Sequence, residues 1–268
     1  MAGQPHDDVA LDTYRFLRGG MVVMVAMLGV ALAVERWHAT CWQTSISAYY
    51  FTTAHTIFLG VLYVVGALLI VYQGTGDTEN TLLNLTGVLA FVIATVPTTR
   101  PVLLCGTGDP VAQTIWPAVL FNIWTVTVVL ALSRVASWML FRRSTRSRDA
   151  VGVAAVWLQR AVLGVGVAVL AIAPDWFRAN AHGIAATLMF GAIVLTVLNT
   201  TFGVHTPAYR RIYQVISIVM AVTLAATVAV HQLLDSFDHT VLVVEVALIV
   251  EFAVYWVVQT VEDDRCAC

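Results

Sequence analysis

The sequence contains no lysine: all 14 of its basic residues are arginine. Schiff-base and other lysine-dependent chemistry is therefore excluded. Charge of either sign is scarce, at 11% of residues, against roughly 25% in an ordinary soluble domain. A chain solvated largely by lipid shows this deficit. The formal net charge of −2 offers no basic surface for nucleic acid. The four cysteines, Cys41, Cys105, Cys266 and Cys268, never form a CxxC pair, so neither a zinc ribbon nor a thioredoxin-like motif is encoded. No HExxH, phosphate-binding loop or nucleophile elbow occurs.

What remains is apolar: 59% of residues are hydrophobic and mean hydropathy is +0.83. A helix needs about 20 apolar residues to cross a bilayer. Eight runs meet that need, at 17–37, 51–73, 81–99, 115–140, 151–173, 180–200, 213–234 and 239–260. The first contains Ala31-Leu32-Ala33, which has the form of a signal-peptidase site. The segment before it holds Asp7, Asp8 and Asp12, so we read an uncleaved first helix. Basic loops stay cytoplasmic. Arg15 and Arg18 precede the first helix, Arg142, Arg143, Arg146 and Arg148 link the fourth to the fifth, and Arg210 and Arg211 link the sixth to the seventh. The expected fold is all-α: a polytopic membrane helix bundle of eight transmembrane helices, one integral membrane domain over 1–268, with both termini cytoplasmic.

This threading sorts the polar residues by depth. The stretch Cys41–His55 is the longest polar, aromatic-rich interruption between the first two apolar runs, and it faces outward with Ser45, Ser47, Tyr49, Tyr50 and His55. Glu35, His38, His182, His231, Asp235, Asp238, His239 and Glu245 fall near the same face, and Arg100 and Arg178 lie in outward loops. Ionisable side chains are costly in a bilayer and usually face a bundle interior or a wet cavity. Interface-loving His and Tyr, and merely solvated carboxylates, are the plainer account of each residue alone. Cys41 and Cys105 share the outward side, where disulfides form, and are expected to pair. Arg160 and Glu251 reach similar depths near the bilayer middle and are expected to form an ion pair that locks the fifth helix to the eighth. Asn84, Asn122, Thr125, Thr127 and Gln159 suit interhelical hydrogen bonds, and Gly60, Gly66, Gly164, Gly166 and Gly183 suit close helix contact.

Ser45-Ile46-Ser47-Ala48-Tyr49-Tyr50, Leu85-Thr86-Gly87 through Pro97-Thr98, Ala181-His182-Gly183-Ile184-Ala185-Ala186 through Phe190, Tyr209-Arg210-Arg211-Ile212-Tyr213 and Glu245 through Trp256 occur in that order. Over roughly residues 45–258 the chain resembles a family of bacterial multi-pass membrane proteins without an assigned activity. It is more distantly similar to the Frag1/DRAM/Sfk1 group, which is associated with lipid-related processes. The resemblance implies a plasma-membrane, bacterial inner-membrane location. It marks Ser45, Ser47, Tyr49, Tyr50, His182 and Glu245 as shared features, and it implies no reaction.

Several function classes stay open. The first is a binding or accessory protein. Its outward polar cavity, lined by Ser45, Ser47, Tyr49, Tyr50, His55, His182, His231 and Glu245, would hold a lipid head group or small amphiphile, with Arg100 or Arg178 for a phosphate. The second is a zinc-dependent intramembrane lipid hydrolase, with His55, His182, His231 and Glu245 as ligands. A proton-coupled transporter and a single-haem protein, with His55, His182 or His231 as axial ligands, rank below these. Membrane lipid is the expected partner, and oligomeric state is not encoded legibly.

Overall fold

The computed structural model describes residues 5–74, 76–99, 116–141, 150–204, 206–233 and 239–266. Among them the chain forms eight α-helices: α1 (Pro5–His38), α2 (His55–Val71), α3 (Asp77–Thr95), α4 (Trp116–Phe141), α5 (Ala150–Ile172), α6 (Pro174–Gly203), α7 (Pro207–Leu233) and α8 (Thr240–Cys266). A single 3₁₀ turn, Ser47–Phe51, stands between α1 and α2. No strand occurs among the described residues. The all-α bundle matches the expectation in helix number and order.

Helix ends depart from the apolar runs where helix chemistry continues into polar sequence. α1 begins at Pro5, a dozen residues upstream of its apolar run, because Pro suits a first helical position and acids suit a first turn. α6 likewise opens on Pro174 with Asp175 behind it. Its join to α5 is a single residue, Ala173, whose N–H donates to Val169 O at 2.8 Å while its own carbonyl accepts Phe177 N–H at 3.0 Å. The second helix starts late, at His55, because residues 47–54 turn instead of continuing the apolar run.

α3 is the centre of the bundle, packing on α2, α4, α5 and α6. It is also among the more polar helices. Its threonines donate back along their own turn, Thr81 to Asp77 O, Thr86 to Leu82 O and Thr95 to Phe91 O, at 2.8, 2.9 and 2.6 Å. In lipid the apolar helices are already well solvated, so a core can be built from small and self-satisfied polar groups. Gly66 of α2 and Gly87 of α3 make this possible. A Cβ on Gly87 would lie 2.5 Å from Gly66 O, and one on Gly66 would lie 2.9 Å from Gly87 O. Gly60, Gly164, Gly166 and Gly183 have nothing within 4 Å of such a Cβ, so the expected close contacts occur at Gly66 alone of that set.

Among the described residues, five segments are long and apolar enough to cross a membrane: Thr13–His38, Pro117–Ala136, Ala150–Ile172, Pro174–Gly203 and Val241–Glu262. α2 is apolar but shorter, at 17 residues. Large side chains such as Phe121, Leu132, Ile172 and Phe202 stand outward on these helices. Burying them is worth about 1.5–3 kcal/mol each, which water would forfeit and lipid supplies. The five segments mark a membrane-embedded protein.

Candidate functional site

The stretch from Cys41 to His55 folds as a plug over one end of the bundle. Ser45 starts the 3₁₀ turn by accepting Ala48 N–H at both Oγ (3.1 Å) and its carbonyl (3.2 Å). Thr52 ends it: its N–H and hydroxyl both donate to Tyr49 O, at 3.2 and 3.0 Å, and its Oγ1 accepts Ala54 N–H. Ser47, Tyr49, Tyr50 and Phe51 are buried. Burial raises the phenol pKa of both Tyr49 and Tyr50, with a hydrogen bond to the Gln43 backbone opposing the shift at Tyr49. The Tyr50 ring meets the His55 ring edge-on at 4.5 Å.

Several of the expected site residues fasten this plug to the helices around it. Glu245 Oε2 accepts Ile46 N–H at 2.6 Å, Thr44 O accepts Leu242 N–H at 3.1 Å, and His239 Nε2 lies 3.0 Å from Trp42 O. These three contacts tie the start of α8 to the plug. Glu35 receives the Thr53 hydroxyl, tying in α1. His55 Nδ1 lies 2.5 Å from Tyr50 O, and His182 Nδ1 lies 2.6 Å from Val96 O at the end of α3. A carbonyl only accepts, so both rings carry their proton on Nδ1. His182 Nε2 is buried with no hydrogen-bond partner. Arg178 is exposed in the first turn of α6. Arg100, Cys105 and the side chain of His231 lie outside the described residues, so the Cys41–Cys105 pairing and the fourth ligand of the zinc set do too. No three His, Cys, Asp or Glu side chains gather as a metal site among the described residues, although His55, His182 and Glu245 are all described.

The Arg160–Glu251 pair does not form. Glu251 Oε1 accepts the Thr223 hydroxyl of α7 at 2.9 Å, and its Oε2 is buried without a partner. Arg160 is exposed, its guanidinium 5.6 Å from the Trp157 ring centroid one turn away. Equal depth was the basis of the expectation, and depth leaves the facing direction free: α5 packs on α3 and α6, while Glu251 faces α7. The interhelical role expected of the mid-helix amides and hydroxyls is likewise mostly unfilled. Asn84, Thr125 and Thr127 bond carbonyls of their own helices. Gln159 alone of these bridges, its Oε1 accepting Arg134 Nη2 of α4 at 3.3 Å.

Two features were missed in the sequence. At the end opposite the plug, Arg18 is buried against Tyr72, donating from Nε (3.0 Å) and Nη2 (2.5 Å) to its hydroxyl. Its guanidinium stands 5.8 Å from the Trp256 ring. Beside it Glu79, 1% exposed, accepts from Tyr255 Oη and Gln259 Nε2, both at 3.4 Å, and Tyr255 also meets Thr200 at 3.1 Å. This polar core joins α1, α2, α3, α6 and α8, and its signal was the pairing of arginine with repeated Tyr and Trp at helix ends. The second feature is a cavity of about 540 Å³ between α3, α4, α5 and α6. Its wall is almost wholly aliphatic and aromatic, with Arg134, Gln159 and Asn84 toward one end and Trp176, Phe177 and Ala181 toward the other. Arg134 was its signal, a lone charge inside an apolar run.

Compared with known proteins, the chain matches no family model, no curated sequence and no solved structure.

Proposed function

We propose that this protein is a membrane-resident binding protein for a lipid-like amphiphile, held in the cavity between α3, α4, α5 and α6. The observation that carries the proposal is the cavity itself: about 540 Å³, within the roughly 300–1,000 Å³ of small-molecule sites, apolar along its length and polar at one end. Each methylene buried there contributes about 0.8 kcal/mol, so an acyl chain is the fitting cargo. The proposal places the ligand here and not beneath residues 41–55 because that segment is hydrogen-bonded to α1, α2 and α8.

Three finer statements belong to the same proposal. The membrane is the plasma membrane, with both termini and the 142–149 link on the cytoplasmic side, as the arginine distribution favours. The plug then faces outward. A Cys41–Cys105 disulfide staples it to the loop after α3, and intact-mass measurement with and without reductant and alkylation reads this directly, alkylation of all four cysteines in the unreduced sample refuting it.

The test of binding is lipid analysis of protein purified in a mild detergent, beside Ala131→Trp and Ala161→Trp. Both positions line the cavity and are exposed at the same time, so each indole fills space without displacing packed core. Wild type is expected to retain a near-stoichiometric amphiphile that both variants lose while eluting as the same folded species. Equal lipid content in all three overturns the proposal.

A further inference from the structure

We infer that copies of this chain associate within the membrane, the outward face of α5 on one copy docking on the α7–α8 seam of the next, with Arg160 of the first paired to Glu251 of the second. The inference stands apart from the cavity and its ligand. Trp157, Arg160, Gly164, Ala168 and Ala171 follow one another at three or four residues and so share one stripe of α5, and all are exposed. None of them lines the cavity. The one charge in the stripe, Arg160, has the Trp157 ring at 5.6 Å and no carboxylate or hydrogen-bond acceptor among the described residues. It is twelve residues from Ile172, where the 23-residue α5 ends, about 18 Å into a helix about 34 Å long. Arginine at that depth is far from the head groups on either side, and an unpaired cation facing lipid there is costly.

Glu251 is the complement. It is eleven residues from Thr240, where α8 begins, about 16 Å along the axis. Both of these helix ends lie at the plug end of the bundle, with Leu242 bonded to Thr44 and Leu170 packed with Val96. Copies in one bilayer share its orientation, so the two depths, about 2 Å apart, set cation and carboxylate level. Glu251 Oε1 holds Thr223 of α7, and Oε2 has no partner. The residue is partly exposed at the seam, beside exposed Val250 and Val254, and a turn of the carboxylate presents Oε2 outward. Within one copy the two charges do not meet, since α5 packs on α3 and α6 while α8 packs on α1, α6 and α7. Shape agrees with charge. A Cβ on Gly164, one turn beyond Arg160, meets nothing within 4 Å, so the stripe is smooth where a neighbouring helix would cross it. The contact joins two unlike faces, so assembly is head-to-tail and is not limited to a dimer.

The experiment is native mass spectrometry of the full chain from mild detergent over a range of protein concentrations, with thermal midpoints as the control for folding. Wild type is expected to be an oligomer. Arg160→Glu and Gly164→Phe, both at exposed positions, are expected to keep the wild-type midpoint and to weaken assembly about ten-fold or more. Glu251→Arg alone is expected to be monomeric as well. A one-to-one mixture of Arg160→Glu with Glu251→Arg is expected to assemble again, in complexes that contain both chains, because every contact then joins opposite charges. Should Glu251→Arg fail to fold, Glu251→Gln takes its place; it keeps an acceptor for Thr223 and is expected to weaken assembly as Arg160→Glu does. A monomeric wild type overturns the inference, including one in which Arg160 holds an anionic lipid or a different membrane protein. So does an oligomer that withstands Arg160→Glu, Gly164→Phe or Glu251→Gln, and so does a mixture of folded charge-reversed chains that stays monomeric.

Discussion

The Glu245 carboxylate accepts the Ile46 backbone N–H at 2.6 Å across 199 positions of sequence. That bond, with Leu242 N–H on Thr44 O, makes the start of α8 a clamp on the 41–55 segment. Losing the acceptor leaves the buried Ile46 N–H unsatisfied, which costs about 1–3 kcal/mol. Glu245→Ala should therefore raise amide hydrogen exchange over residues 42–52 by about ten-fold or more, with far less change in α3. Glu245→Gln keeps an oxygen acceptor and should fall between. Unchanged exchange in both variants would show the bond to be incidental.

This contact also shows what sequence does and does not carry. Depth was legible: Glu245, His55 and His182 do lie near the end capped by the 41–55 segment. Facing direction was not. Whether a polar group lines an opening or satisfies a neighbouring backbone depends on helix rotation, and long apolar runs of low periodicity leave rotation unspecified. His182 thus bonds Val96 O, and Glu251 bonds Thr223 where Arg160 was expected. Helix number was legible because about 20 apolar residues must accumulate for a crossing. The polar extension of α1 back to Pro5 was not, since lipid solvation and helix formation have different sequence requirements. Arg134 escaped notice for a related reason: one charge barely alters the hydropathy of a 26-residue helix.

Gly87 and Gly60 should answer the same substitution with opposite signs. A Cβ on Gly87 meets Gly66 O at 2.5 Å and Ile70 Cγ1 at 2.7 Å. The first of these is backbone, so α2 and α3 must separate. Overpacking of this kind costs about 1–3 kcal/mol, and the thermal midpoint of Gly87→Ala in detergent should drop by several degrees, roughly 2–4 °C per kcal/mol. Gly60 has open space around it, so Gly60→Ala gains up to about 1 kcal/mol of helix propensity. Matching midpoints for the two variants would contradict the close crossing.

Alkaline pH should loosen the plug. Burial raises the Tyr49 and Tyr50 phenol pKa values above the ordinary one of about 10. Below that value both phenols are neutral whether folded or not, and the stabilisation is complete. As pH rises past it, the opened segment releases protons that the packed one retains, and stability falls until the folded phenols ionise too. Opening of residues 42–52 should accordingly steepen with pH above about 10. In the double variant Tyr49→Phe, Tyr50→Phe it should stay flat. A phenolate absorbance difference between wild type and the double variant that is already complete at the pH of free tyrosine would refute the shift.

Arg18 has two roles that mutation can separate. As one of the arginines before the first apolar run it belongs to the proposed orienting set, yet its side chain is buried, 5% exposed, with two donors on Tyr72 Oη and rings of Tyr72 and Trp256 at 5.4 and 5.8 Å. Removing the acceptor by Tyr72→Phe strips a hydrogen bond from a buried cation and should cost about 1–3 kcal/mol. Arg18→Lys keeps the charge but cannot present two donors to one hydroxyl or lie flat against the rings, so it should also destabilise. Arg18→Met removes the charge and retains an apolar stem of similar length. Removing one partner of a buried charged contact leaves the other uncompensated, so this variant should unfold well below the wild-type midpoint. Insertion separates the two variants by charge alone: Met at this position weakens the orienting charge, whereas Lys preserves it. Thermal midpoints in detergent paired with cysteine labelling of the 142–149 link in cells read the two effects separately. If Arg18→Lys matches wild type in both, the aromatic lock contributes nothing and Arg18 acts by charge alone.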